Sequence, residues 1–405
     1  MKPTNQTNHR DPLFSGRAMA AALLLAVLSL AGCSESTTEP PTEESPSEPM
    51  EETAPPEPPE EPPAPEPAEE PPAPELAEEP PATEPAETPV VKVSHFSWPG
   101  YGFWHVAKAK SLTEGFDLKI TIIEDPYESF ALMQSGELDV TSSTVEYGPI
   151  AAEEEVGIKL VAYTNASYGT DKILLGPGVE SAADLKGKSV AVLEGGLTQI
   201  YMGVWLEQND VKFDEVSYVN VIMDDAVAAM VSGQVAGGEF WEPFGTQVLE
   251  SLEGSKVVAT SKDKYFLDTG LLADGIYMSE AFLKEKPDLA ASVVKAYYDA
   301  VAYWKANPVE ANQIIADAIK FPIEDVVSVI GDDGGPKDGG LWVFGKEESS
   351  TFMGVAEGDP PIGKNGQIKD HWKLTNDWWI KFGFVTKSHP MKAGIDLAPL
   401  KAINK

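Results

Sequence analysis

From residue 90 onward, short apolar runs alternate with stretches whose apolar positions recur at helical spacing. The run VKVSHF at 91–96 alternates like a strand and stops at Trp98-Pro99-Gly100. Helix is predicted over 103–111 and strand over 118–123. Helix then follows over 127–134, with Gly136 as its stop, and a short strand over 138–140. The rhythm returns as strand 189–193, helix 199–208, strand 216–221, helix 224–231 with Gly233 as its stop, and strand 234–236. Such alternation predicts an α/β protein with parallel sheets, built twice. In sheets of this kind ligands gather beyond the carboxyl ends of the strands. That singles out the loops at 94–104, 141–148, 194–199 and 237–243.

Ahead of this body the pattern differs. Lys2, Arg10 and Arg17 precede an apolar run from 18 to 30, followed by Ala31-Gly32-Cys33. A charged start, a short apolar stretch and small residues before a cut describe a secretory signal over 1–33. The run is too short for a hydrocarbon core that needs roughly twenty residues. Leu30-Ala31-Gly32-Cys33 resembles the bacterial lipobox, so Cys33 is expected to be acylated and to anchor the mature chain to a membrane. An ordinary signal with an incidental Cys is the alternative. Residues 34–89 carry 18 Glu, 19 of the 34 Pro and no Lys or Arg. They include the near-copies EEPPAPEPA, EEPPAPELA and EEPPATEPA. Mutually repelling Glu and φ-fixing Pro predict a disordered, semi-rigid stalk reaching at most roughly 170 Å at ~3.1 Å per residue. A recognition role for the proline runs is the alternative.

Charge and cysteine use then exclude several functions. The chain carries a formal net charge of −35, and the body alone is acidic. A nucleic-acid partner is therefore not expected, because phosphate binding needs a basic face. Cys33 is the single cysteine, which leaves the body without disulfides, cysteine metal sites or a thiol nucleophile. No GxxxxGK[ST], HExxH or GxSxG motif is present. His95 and His105 flank the first loop, but their spacing makes a poor zinc motif, and no metal or cofactor is expected. The loop GDDGGPKDGG at 331–340 invites a calcium reading, yet lacks the alternating acids and final Glu of an EF-hand. Trp372, Trp378 and Trp379 lie on a helical pattern and read as lobe-packing residues.

The strand-end loops hold the candidate chemistry. Phe96 to Trp104 is crowded with rings between glycines; Trp98 and Tyr101 are either ligand-stacking surfaces or packing residues, and Phe103 belongs to the core. In the second loop Ser143 and Thr144 offer hydroxyls to a ligand or to a helix cap. In the third, Gly195 and Gly196 permit close backbone approach, Thr198 offers a hydroxyl, and Glu194 faces the cleft or favours the helix start. In the fourth, Trp241 is a wall or a packing residue. Glu242, held extended before Pro243, is expected to point inward.

Three stretches carry a family resemblance. Ser97-Trp98-Pro99-Gly100-Tyr101-Gly102, the run ALMQSGELDV at 131–140, and Ala228-Ala229-Met230 with Gly233-Gln234 and Trp241-Glu242-Pro243 resemble solute-binding proteins of the nitrate, sulfonate and taurine importer class. That class also includes binders of thiamine pyrimidine precursors, urea-like compounds and guanidine. The resemblance covers most of 90–300. It implies a type II periplasmic-binding-protein-like fold, with one lobe at 90–172 and 276–405 and the other at 173–275. Ligand would be trapped between the lobes of a monomer and passed to a permease driven by a separate ATPase. Glu194 and Asp274 match acidic positions of the urea and guanidine type, whereas Thr144 and Glu242 depart from it.

The strand-end loops and segment 268–277 contain Glu146, Glu194, Glu239, Glu242, Asp268 and Asp274 but no Lys or Arg. Two like charges 4 Å apart repel by about 4 kcal/mol at an effective dielectric near 20. A cationic or amine-rich solute is therefore expected, with Glu194, Glu242 and Asp274 as its partners and Glu194→Gln weakening it at least about tenfold. The alternatives are an anionic solute held by backbone amides, a solute-sensing lipoprotein, and an enzyme of the thiamine-pyrimidine type, which lacks here the cysteines it needs.

Overall fold

The structure, a computed structural model, describes residues 87–270 and 272–405. The expected signal at 1–33, Cys33 and the stalk as far as residue 86 lie outside the described residues. Two sheets form the body. Their strands are β1 (Val90–His95), β2 (Asp117–Ile122), β3 (Val140–Thr144), β4 (Ile158–Tyr168), β5 (Lys172–Leu175) and β6 (Ser189–Val192). They continue with β7 (Ser217–Asn220), β8 (Gly237–Phe240), β9 (Lys256–Thr260), β10 (Ala273–Ser279) and β11 (Gly340–Val343). The first sheet runs β11-β4-β10-β3-β1-β2, the second β7-β6-β8-β5-β9.

Each sheet is mixed, not purely parallel as the sequence predicts. β2, β1 and β3 are parallel, as are β7, β6 and β8. The strands that carry the chain between lobes, β4 with β5 and β9 with β10, pair antiparallel to their neighbours. Local signals explain most of the helices. In Pro126–Ser135, the Asp125 side chain accepts from the Tyr127 amide, Pro126 fills the first turn and Gly136 ends the helix at φ 79°.

Two strands begin later than predicted. Thr141 to Thr144 and Gly237 to Phe240, expected as loops, are β3 and β8. Hydroxyl and glycine residues carry little of the apolar alternation that marks a strand in sequence. Glycine is nevertheless required at 238, where a Cβ would lie 2.8 Å from the Phe240 ring and 3.1 Å from Ala191.

Lys172 opens a strand of the second sheet, and β10 lies wholly in the first. The lobes therefore exchange at about 171 and 273 instead of 172 and 275. Ser167 and Ser261, one on each crossing segment, share a 2.6 Å hydroxyl contact, and the Gly169 amide donates to Ser261 at 2.8 Å. Helix Ile368–Phe382 packs on both lobes: Trp372 joins the first core, and Trp378 and Trp379 join the second. The sequence places that whole helix in the first lobe.

Candidate functional site

A hollow of about 520 Å³, open solvent at its mouth included, lies where the strand ends of both lobes meet. Its wall is lined by Trp98, Tyr101, Thr144, Thr198, Trp241 and Asp274, six of the eight residues singled out in the sequence. Phe96, Tyr147, Asn165, Ser167, Asp171 and Leu193 line it as well. Among the described residues no Lys, Arg or His lines it.

The first lobe supplies a polar row fixed by strand register. Thr144 on β3 faces Asp274 on β10, which faces Asn165 on β4. Directly opposed residues project to the same side of a sheet, so three side chains from distant positions stand together. Tyr101, the last residue of a 3-10 turn at Pro99–Tyr101, donates its hydroxyl to Asp274 Oδ1 at 2.9 Å. The Trp98 ring packs so tightly over Gly100 that a Cβ there would lie 2.2 Å from it. Its Nε1 donates to the Glu242 carbonyl at 3.1 Å, a bond that crosses from one lobe to the other.

Burial shifts both carboxyl groups in the wall toward their protonated forms. Burial, moderated by the Tyr101 hydrogen bond, raises Asp274 to about 8. Burial also raises Asp171, against donation from Ser167 and the charge of Lys172. Asn165 Oδ1 has no hydrogen-bond partner and is buried.

The second-lobe loop corrects the sequence reading. Four of its amides are already used: Leu193 donates to Thr198 Oγ1 at 2.7 Å, Glu194 to Asn220 Oδ1 at 2.9 Å, Gly195 to Gln199 Oε1 at 2.8 Å and Gly196 to the Leu193 carbonyl at 3.2 Å. Its glycines admit the other lobe instead of a ligand. A Cβ at Gly195, where φ is +74°, would lie 1.9 Å from the Tyr127 hydroxyl, and one at Gly196 would lie 2.8 Å from that of Tyr147. Glu194 is half-buried beside this contact, where its charge acts on Tyr127, and it does not line the hollow.

Glu242 is also corrected. Its carboxylate pairs with Lys172 Nζ at 2.5 Å and accepts from the Thr246 hydroxyl and amide at 3.0 and 3.1 Å. It anchors the start of helix Phe244–Ser251 and does not face the hollow. Glu146 is fully buried against His371, with Oε1 2.7 Å from Nε2. Neither Ser143 nor Thr144 caps the following helix, whose N-cap is Glu146. His95 and His105 face each other at 2.9 Å between Nε2 atoms. Among the described residues no group of three or more His, Cys, Asp or Glu is placed to hold a metal. In the glycine-rich loop, Asp333 accepts from the Gly335 amide and Asp338 pairs with Lys262. Asp171 escaped the sequence reading because it lies in the crossing between lobes, where no strand end was expected. The charged pair Asp171-Lys172 before an apolar run was the available signal.

A family model described as "NMT1/THI5 like" matches residues 104–311. A protein of Brucella abortus (strain 2308), provisionally named a binding protein, is 26% identical over 162 residues, covering 40% of this chain and 50% of that one. The chain therefore spans about half the length of the curated relatives it matches. The periplasmic nitrate-binding protein NrtA from Synechocystis PCC 6803 superposes with a TM-score of 0.59 at 15% identity, over 78% of this chain and 88% of that one. The periplasmic aliphatic sulphonate binding protein SsuA from Escherichia coli gives 0.57 at 16% identity, over 76% and 92%. These likenesses establish the two-lobed α/β fold of periplasmic binding proteins.

Proposed function

The chain belongs to the NMT1/THI5-like family, and from that premise we propose that it is the solute-binding component of an ABC importer. It acts as a monomer, held outside the cytoplasmic membrane by an acylated Cys33 and a Pro/Glu-rich stalk, and delivers its solute to permease and ATPase subunits. Capture, not conversion, is its activity. The solute is a small nitrogen-containing compound rich in N–H donors: an amine, a guanidinium, a urea-like molecule or a pyrimidine.

One observation carries the choice of solute. The wall offers the carboxyl groups of Asp171 and Asp274 and the carbonyl of Asn165, with no basic side chain among them. Each charge-assisted hydrogen bond from a cationic N–H contributes about 1.5–3 kcal/mol. A cation over the Trp98 or Tyr101 ring adds roughly 0.5–2 kcal/mol. Against this, ionising Asp274 near pH 7, about one unit below its buried value of about 8, costs about 1.4 kcal/mol. The attraction outweighs that cost.

The rival is an oxyanion, as the printed names of the nitrate- and sulphonate-binding neighbours suggest. It would bind through protonated carboxyls or the amides of Leu197 and Thr198 at the helix start, since the loop amides of Leu193 to Gly196 are taken. A thermal-shift panel of methylguanidinium, ethylammonium, urea, a pyrimidine, methanesulfonate, taurine and nitrate tests the reading. Stabilisation by an N–H-rich compound alone is expected. Stabilisation by the sulfonates or nitrate alone would reverse the assignment.

A further inference from the structure

Behind Asp171 lies a second carboxyl that the solute does not reach. Glu239 on β8 stands opposite Ile173 on β5, and Asp171, two residues before Ile173, projects to the same face of this strand pair. That face packs on the second core, with Tyr201 above it. Glu239 is fully buried, and neither of its oxygens has a partner as an ionised acceptor; the Tyr201 hydroxyl is likewise unpartnered. The Asp171 carboxyl is within hydrogen-bonding reach of it. Two carboxylates are both acceptors, so they become partners only when a proton lies between them.

We propose that Glu239 is a positioning residue that stays neutral and donates its proton to Asp171, so that Asp171 turns its other oxygen to the solute as a carboxylate. The inference rests on the solute-binding reading given above. The charged and titratable groups around the pair are few. Lys172 favours ionisation, but it points to the opposite face and is paired with Glu242. Asp274 faces Asp171 across the hollow, and Asp263 and Tyr201 lie on the other side. Acids thus outnumber the single, already neutralised base, and two ionised carboxyls in one apolar site would be left without compensation. Burial and the neighbouring Asp171 both hold Glu239 well above the usual carboxylate range. On binding a cation, a proton on Asp171 leaves to solvent while that on Glu239 remains.

Infrared difference spectroscopy on the ligand-free protein tests this without any ligand. Above a pH of about 8, where Asp274 has given up its proton, a protonated-carboxyl C=O band is expected to persist, and it should be missing from Glu239→Gln. Its absence from the wild type, or its survival in the variant, overturns the inference and leaves the solute reading intact. Titration with methylguanidinium chloride adds the functional arm. Glu239→Gln, which retains an N–H donor, should bind within about twofold of wild type, and Glu239→Leu about tenfold more weakly. Equal binding by the Leu variant contradicts the positioning role. If the wild type fails to bind methylguanidinium, the solute reading fails on this probe and the infrared band alone decides the protonation of Glu239.

Discussion

The two faces of the β5–β8 pair treat the same chemistry in opposite ways. Asp171 and Lys172 are neighbours in sequence, and so, nearly, are Glu239 and Glu242. Strand alternation sends Asp171 and Glu239 to one face, while Lys172 goes to the other and meets Glu242 there. On Lys172's face a carboxylate has its countercharge, two further donors and a structural task. On the other, two carboxyls are buried without a base, and one of them lines the hollow. A charge matched within the protein holds the fold. A charge left unmatched at a cavity wall is available to something that arrives from outside.

The comparison breaks first at Lys172. Removing the base in Lys172→Met strands Glu242 as a buried charge and should cost about 3 kcal/mol of unfolding free energy. Adding Glu242→Gln should recover most of it, as denaturant melts would show. A loss below about 0.5 kcal/mol would mean that the pair is an ordinary surface contact.

The next effect belongs to Asp274. Asp274→Asn removes a carboxylate from the wall and should weaken methylguanidinium about thirtyfold by calorimetry, the equivalent of one charge-assisted hydrogen bond. The same variant should also change how stability depends on pH. The native carboxyl keeps its proton to about 8, above the ordinary value of the unfolded chain. The native state therefore binds more protons than the unfolded state in that window, and this group's contribution to stability falls as pH rises through it. In Asp274→Asn that part of the decline should vanish from thermal melts recorded across the range.

The smallest change sharpens the contrast. Glu194 is half-buried at the inter-lobe contact and outside the lining. Glu194→Gln should thus alter methylguanidinium affinity by no more than about twofold, in place of the tenfold expected from the sequence alone. A larger loss would return Glu194 to the site.

Much of this was legible before any coordinates. The repeated strand–helix rhythm marked two α/β lobes, and the turn after β1 marked Trp98 and Tyr101. The acids of segment 268–277 and the resemblance to the urea and guanidine type marked Asp274. Three things were not legible. Glycine- and hydroxyl-rich strands carry little apolar signal, so β3 and β8 were read as loops and their register was lost. Without register, Thr144, Asp274 and Asn165 could not be seen to share a row. A residue before proline has a restricted backbone, but its side-chain partner is a tertiary fact, and Lys172 lies 70 residues from Glu242. The glycines of the third loop signalled close approach correctly, yet what approaches is Tyr127 and Tyr147, not a ligand.

The sign of the pH dependence of binding tests the central claim most directly. Methylguanidinium and methanesulfonate would each be titrated into the wild-type protein by calorimetry at several pH values up to about 8, where Asp274 gives up its proton. An unmatched carboxyl wall predicts that the cation binds more tightly as pH rises and releases protons as it binds, with no measurable heat from the sulfonate. A sulfonate that binds tightly at low pH and weakens as Asp274 ionises, with the cation silent, would contradict it.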